Sequence, residues 1–125
     1  MTSREIVNKY YSLNTDIRTG KAQMQDLRNL LADNMVFVGP LMKIEGADNY
    51  IGLLTNFIPF HEELNIIKQF QSENEICTIT NLKLKTPNGG KISMDIAEYI
   101  LVENDKISNH TLYYDPREFQ SAFPM

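Results

Sequence analysis

Three polar side chains stand among apolar neighbours in this sequence: Glu98, His110 and Tyr10. Glu98 lies in Met94-Asp95-Ile96-Ala97-Glu98-Tyr99-Ile100-Leu101-Val102, the most apolar strand-like run of the chain. An isolated carboxylate there either faces solvent or lines a polar pocket. Inside a pocket it can donate a hydrogen bond when protonated, or take a proton as a general base. His110 follows twelve residues later, beyond a hairpin signal at Asn104-Asp105. If the two meet, the carboxylate fixes the imidazole tautomer and raises its basicity, which makes an acid/base pair. A three-residue loop (103–105) pairs Glu98 with His110 on one face. A two-residue turn pairs Glu98 with Thr111 and sends His110 to the other face, because a one-residue slip inverts every side chain. The sequence leaves both registers open. Tyr10 shares a helical stripe with Ile6, Leu13 and Ile17, where a buried phenol needs a partner. Tyr11 points about 100° away and reads as structural.

Other candidates are weaker. His61-Glu62-Glu63 is a local cluster, but strand neighbours point to opposite faces, so only His61 and Glu63 could share a ligand. Metal sites normally need three convergent ligands, so no metal is expected. Asp115-Pro116-Arg117-Glu118 reads as a cap, a first-position proline and an acidic third position, which is a helix start. There is no phosphate loop, no dinucleotide fingerprint, no H-E-x-x-H and no paired C-x-x-C. No cofactor is expected.

The elements that must position these groups follow from periodicity. A helix is expected over residues 3–14, with Thr2 and Glu5 at capping-box spacing and Gly20 breaking the pattern beyond it. A second is expected at 21–32, ended by Asp33-Asn34. Short strands follow at 35–38 and 41–45, with Gly39-Pro40 between them. A third helix spans 47–58 with Tyr50, Leu53, Leu54, Phe57 and Ile58 inward, and Pro59 stops it. Four long strands come next, at 62–72, 75–86, 91–103 and 106–115. Asn- and Gly-containing turns join them. Helices early and strands late argue for an α+β fold over alternating βαβ units. Long strands twist and coil, so the sheet can curl around a space.

The whole-chain numbers agree. The 125 residues suffice for one domain with one core. Sixteen acidic against twelve basic residues, with no basic stripe, argue against nucleic acid as a partner. Cys77 is alone, so no intrachain disulfide forms. No apolar run reaches the ~20 residues of a membrane span, and no signal peptide is visible. A cytoplasmic protein with no membrane partner is expected.

The order helix-helix-strand-strand-helix and then four long strands resembles the nuclear transport factor 2-like superfamily, in particular its SnoaL-like domains. The residues that carry the resemblance are Ile6 to Tyr11, Leu31 to Phe37, Ile44-Glu45-Gly46, and Lys106-Ile107 through Tyr113-Tyr114-Asp115-Pro116. It covers nearly the whole chain, and its specificity lies in the order of elements. It implies one domain over 1–125: three N-terminal helices on a highly curved antiparallel sheet, a cone with an internal pocket. It implies a homodimer and an apolar small-molecule ligand. It implies pocket walls of Phe37, Leu54, Phe57, Met94, Ile96, Leu112 and Tyr114. Tyr10 matches the helix tyrosine that similar ketosteroid isomerases use in an oxyanion hole, and Glu98 falls near their protonated acid. Gly39 stands where those isomerases carry their general-base Asp. No arginine falls on an expected strand, so the Asp-Arg-Asp relay of epoxide hydrolases is absent. Proton-transfer chemistry by Glu98, His110 and Tyr10 is the enzymatic expectation, and a non-catalytic binding or dimerisation domain is the other.

Overall fold

The computed structural model describes residues 1–123. Helix α1 (Ser3–Arg18) starts at the expected capping box: Glu5 N donates to Thr2 Oγ1, and Thr2 N donates to Glu5 Oε1. It runs a turn further than expected and stops before Gly20, whose φ of 80° suits the left-handed region. Ile6, Val7, Tyr10, Tyr11 and Leu13 bury its inner face.

Helix α2 (Met24–Arg28) is much shorter than the expected 21–32. Strand β1 (Leu31–Val38) begins before that helix was to end. Leu30 and Leu31 leave the helical pattern because the last strand claims them: Ile107 N donates to Leu30 O at 2.8 Å, and Leu31 pairs with Ile107. Tertiary pairing here overrides local periodicity. A register shift between Leu31 and Val36 accommodates Asp33 and Asn34, and Arg28 ties this segment down through Asp33 and Asp48. Strand β2 (Lys43–Glu45) and helix α3 (Ala47–Phe57) follow. A short 3-10 turn (Ile58–Phe60) then contains Pro59.

Strands β3 (His61–Ser72), β4 (Glu75–Lys85), β5 (Lys91–Glu103) and β6 (Lys106–Tyr113) form hairpins close to the expected bounds. The sheet order is β2-β1-β6-β5-β4-β3. It is mixed, which corrects the expectation of a wholly antiparallel sheet: β1 and β6 run parallel. Parallel neighbours need a long crossover, and α3 with the four intervening strands supplies one. The helix count is corrected too. A fourth helix, α4 (Arg117–Ala122), follows the sheet, with Asp115 Oδ1 accepting from Arg117 N. Among the described residues no helix is long and apolar enough to cross a membrane.

Period-two alternation sets the inner face. On β4, Ile76, Thr78, Thr80, Leu82 and Leu84 are buried. On β5, Met94, Ile96, Glu98, Ile100 and Val102 are buried. Ladder irregularities at His61/Glu63, Ile66/Lys68 and Leu101/Val102 bend the strands so that the sheet curls around the helices.

Candidate functional site

The β5–β6 hairpin decides the site. Asn104 and Asp105 have φ of 51° and 60°, a two-residue turn with both central residues left-handed, and Glu103 pairs with Lys106. That turn by itself sends His110 outward. The ladder then shifts by one residue, because Val102 pairs with Ile107 whereas Leu101 pairs with Asn109. Ser108 is the extra residue of this bulge. Its presence turns His110 back to the inner face, opposite Ile100, with Glu98 opposite Leu112. Neither simple register read from the sequence is the observed one.

Glu98 and His110 are therefore diagonal neighbours on the inner face. Glu98 Oε1 lies 2.7 Å from His110 Nε2. Glu98 Oε2 accepts from Thr80 Oγ1 at 2.8 Å. Both residues are buried, at 6% and 2% exposure, so the carboxylate does not face solvent. With Nε2 engaged by Glu98, Nδ1 of His110 is buried and makes no hydrogen bond within the chain.

Helix α1 lays two phenols over this pair. The Tyr10 ring meets the His110 ring edge-on, with centroids 5.2 Å apart. Its hydroxyl shares a hydrogen bond with the hydroxyl of Tyr50 from α3. Two hydroxyls sharing one hydrogen bond leave one O–H hydrogen over, available to an acceptor in the cavity. Burial first, and then the nearby Glu98, push the Tyr10 hydroxyl well above its usual pKa. Burial does the same to Tyr50, followed by Tyr10. Both are hydrogen-bond donors at neutral pH, not bases. Tyr11, expected to be structural, also reaches the cavity. Its hydroxyl is buried near Thr78 and Glu98 without a well-formed bond to either, and burial raises its pKa as well. The apolar stripe of α1 is wide enough that adjacent residues both face inward.

These groups line a cavity of about 130 Å³. An apolar engineered cavity of similar size holds a benzene ring. The remaining wall is almost entirely apolar. Phe37, Leu54, Phe57, Met94, Ile96, Leu112 and Tyr114 all line it. The deep end is Tyr10, Tyr50, Glu98 and His110, all buried. The outer end carries the half-buried Leu41, Phe57, Tyr114 and Phe119. Phe119 of α4 packs edge-on against Phe57 at 5.6 Å, so the final helix covers this end. Gly39 also lines the cavity and has no carboxylate to offer.

Sequence reasoning placed Tyr50 on the inner face of the third helix but gave neither it nor Asn14 a role in the site, and both line the cavity. The signal for Tyr50 was its place on the inner face of α3, where a hydroxyl amid Leu and Phe needs a partner. Asn14 Nδ2 donates to Tyr10 O at 2.8 Å, a local bond that gave no sequence signal. His61 lines the cavity, but Glu63 is exposed and pairs with Lys83 at 3.3 Å. The register shift between His61 and Glu63 separates the two residues that strand alternation put on one face.

A scan against protein families finds none that matches the sequence, and a search of curated proteins finds no match. Solved structures do match. An NTF2-like protein of unknown function from Burkholderia pseudomallei K96243 superposes with a TM-score of 0.82 at 12% identity, covering 100% of this chain and 99% of that one. An NTF2-like protein of unknown function from Cytophaga hutchinsonii ATCC 33406 gives 0.77 at 22% identity, with 95% of each chain covered. A candidate SnoaL-like polyketide cyclase from Jannaschia sp. CCS1 gives 0.79 at 11% identity, covering 97% of this chain and 90% of that one. At such identities the likeness is one of fold. The chain has the NTF2-like cone fold, an α+β architecture in which helices close a curved sheet over an internal cavity.

Proposed function

We propose that the cavity is a cofactor-free proton-transfer site for a small, apolar, oxygen-bearing ligand, as in isomerisation, cyclisation or dehydration. The observation that carries this reading is the buried Glu98–His110 contact at 2.7 Å beneath the Tyr10–Tyr50 pair. A carboxylate hydrogen-bonded to one imidazole nitrogen leaves the other as the proton acceptor. The spare phenolic O–H of the tyrosine pair donates to the ligand oxygen on which charge develops. Apolar walls exclude water and strengthen both interactions.

The test is deuterium exchange at the carbon next to the carbonyl in small cyclic ketones such as cyclohexanone, followed by proton NMR. The wild type should accelerate exchange over buffer, and Glu98→Gln and His110→Ala should not. Variants as fast as the wild type would sink the assignment.

A second reading is a ligand-binding domain without catalysis. It is favoured by Gly39, which puts no base beside the cavity mouth, and by the covered Nδ1 of His110. Ketone binding without exchange would select it. On either reading we expect a cytoplasmic homodimer. The outer sheet face supports the dimer by exposing Phe70 and Tyr113 at 53% and 63%.

A further inference from the structure

His61, like Tyr11, is a polar cavity-lining side chain that the proposed proton transfer does not use and that lacks a hydrogen-bond partner among the described residues. It opens β3 just after the Pro59 turn and stands edge-on to the Phe57 ring at 5.2 Å. Its Nε2 is buried without a partner. A buried ring nitrogen left unpaired is costly, and such a group in a ligand cavity marks a missing hydrogen bond.

Its position matters. His61 pairs with Leu84 on β4, whereas Glu98 pairs with Thr78, six residues further back along the same strand. Six residues of strand span about 20 Å when unrolled. Curling of the sheet brings both rows onto one cavity, which His61, Tyr10 and Tyr50 all line, so one ligand can meet the ring and the tyrosine pair at different atoms.

The charge state also restricts the partner. Burial first, and then the Arg18 guanidinium, lower the His61 pKa to about 4, against a smaller opposing pull from Glu98. The ring is neutral at physiological pH and offers one donor and one acceptor. A hydroxyl matches this, since it can give and take a hydrogen bond. An ammonium ion does not, with Arg18 nearby.

We propose that His61 is a second, specificity-determining subsite: it hydrogen-bonds a hydroxyl at the end of the ligand remote from the carbonyl held at Tyr10–Tyr50. The ligand class is then a hydroxyketone of one ring, the size that the cavity holds. This deepens the proton-transfer reading and rests on it.

The test compares cyclohexanone with 4-hydroxycyclohexanone by titration calorimetry. The wild type should bind the hydroxylated ketone about tenfold more tightly, the value of one buried hydrogen bond. His61→Phe, which keeps the ring contact with Phe57, should erase that preference. His61→Gln, which keeps a donor and an acceptor, should restore part of it. A wild type without preference, or a His61→Phe variant that retains it, overturns the subsite. If the wild type still exchanges the ketone protons in that case, the catalytic reading stands without it. If the wild type binds neither ketone, both fall.

Discussion

Glu98 Oε1 and His110 Nε2 sit 2.7 Å apart on the inner face of the sheet, joined across a hairpin whose bulge at Ser108 restores the face that its two-residue turn would have lost. The carboxylate's other oxygen is held by Thr80. The pair is thus oriented by two hydrogen bonds before any ligand arrives, the condition under which proton transfer contributes most. Glu98→Gln and His110→Ala should each lower ketone proton exchange by about 10²–10⁴-fold. Because the two act as one unit, the double variant should be little worse than either single variant.

The same contact holds the fold together. Glu98→Ala strands two buried groups, His110 Nε2 and the Thr80 hydroxyl. Each such loss costs about 1–3 kcal/mol. Urea unfolding should therefore show Glu98→Ala clearly less stable than Glu98→Gln, which keeps the shape and one acceptor. Equal midpoints would mean that the pair is not buried and bonded as described.

The tyrosine pair gives an alkaline signature. Tyr10, Tyr11 and Tyr50 are raised by burial, and Tyr99 is held near 12 by its bond to Glu75. In the unfolded chain these phenols ionise near 10. The folded state therefore keeps more protons above pH 10, so stability falls as pH rises through that range. Tyrosinate absorbance of Tyr10, Tyr11 and Tyr50 should appear only with unfolding. Tyr50→Phe removes the shared hydrogen bond, costs about 1 kcal/mol, and slows exchange without changing the pH at which Tyr99 titrates.

His61 gives an acid signature of opposite sense. Its pKa is about 4 in the folded chain and 6.5 in the reference state. Between these values the unfolded state binds the extra proton, so stability is complete above pH 6.5 and declines as pH falls toward 4. His61→Phe should flatten this part of the stability curve relative to the wild type. Parallel curves would mean that the ring is exposed and titrates normally.

Most elements were legible because their signals are local. The Thr2–Glu5 capping box, the Asn104-Asp105 turn and the period-two strands depend on residues a few positions apart, and the structure repeats them nearly residue for residue. The misread segment is 29–34. Leu30 and Leu31 satisfy a helical stripe, yet they bond to a strand more than seventy residues later. No local pattern carries that competition.

The residue types of the site were likewise readable from the sequence. A carboxylate, an imidazole and a phenol amid apolar runs marked candidate positions, and whether the carboxylate faced solvent or a pocket was decided by its burial in the fold. Their convergence was not readable. It depends on Ser108, an inserted residue that moves His110 from one face of β6 to the other, and on Tyr50, which reaches Tyr10 from a separate helix. The sequence alone determined α1, α3, the hairpins and the stock of chemical groups. Only the tertiary structure decided which of them meet, because strand register and helix docking are set by contacts between residues far apart in the chain.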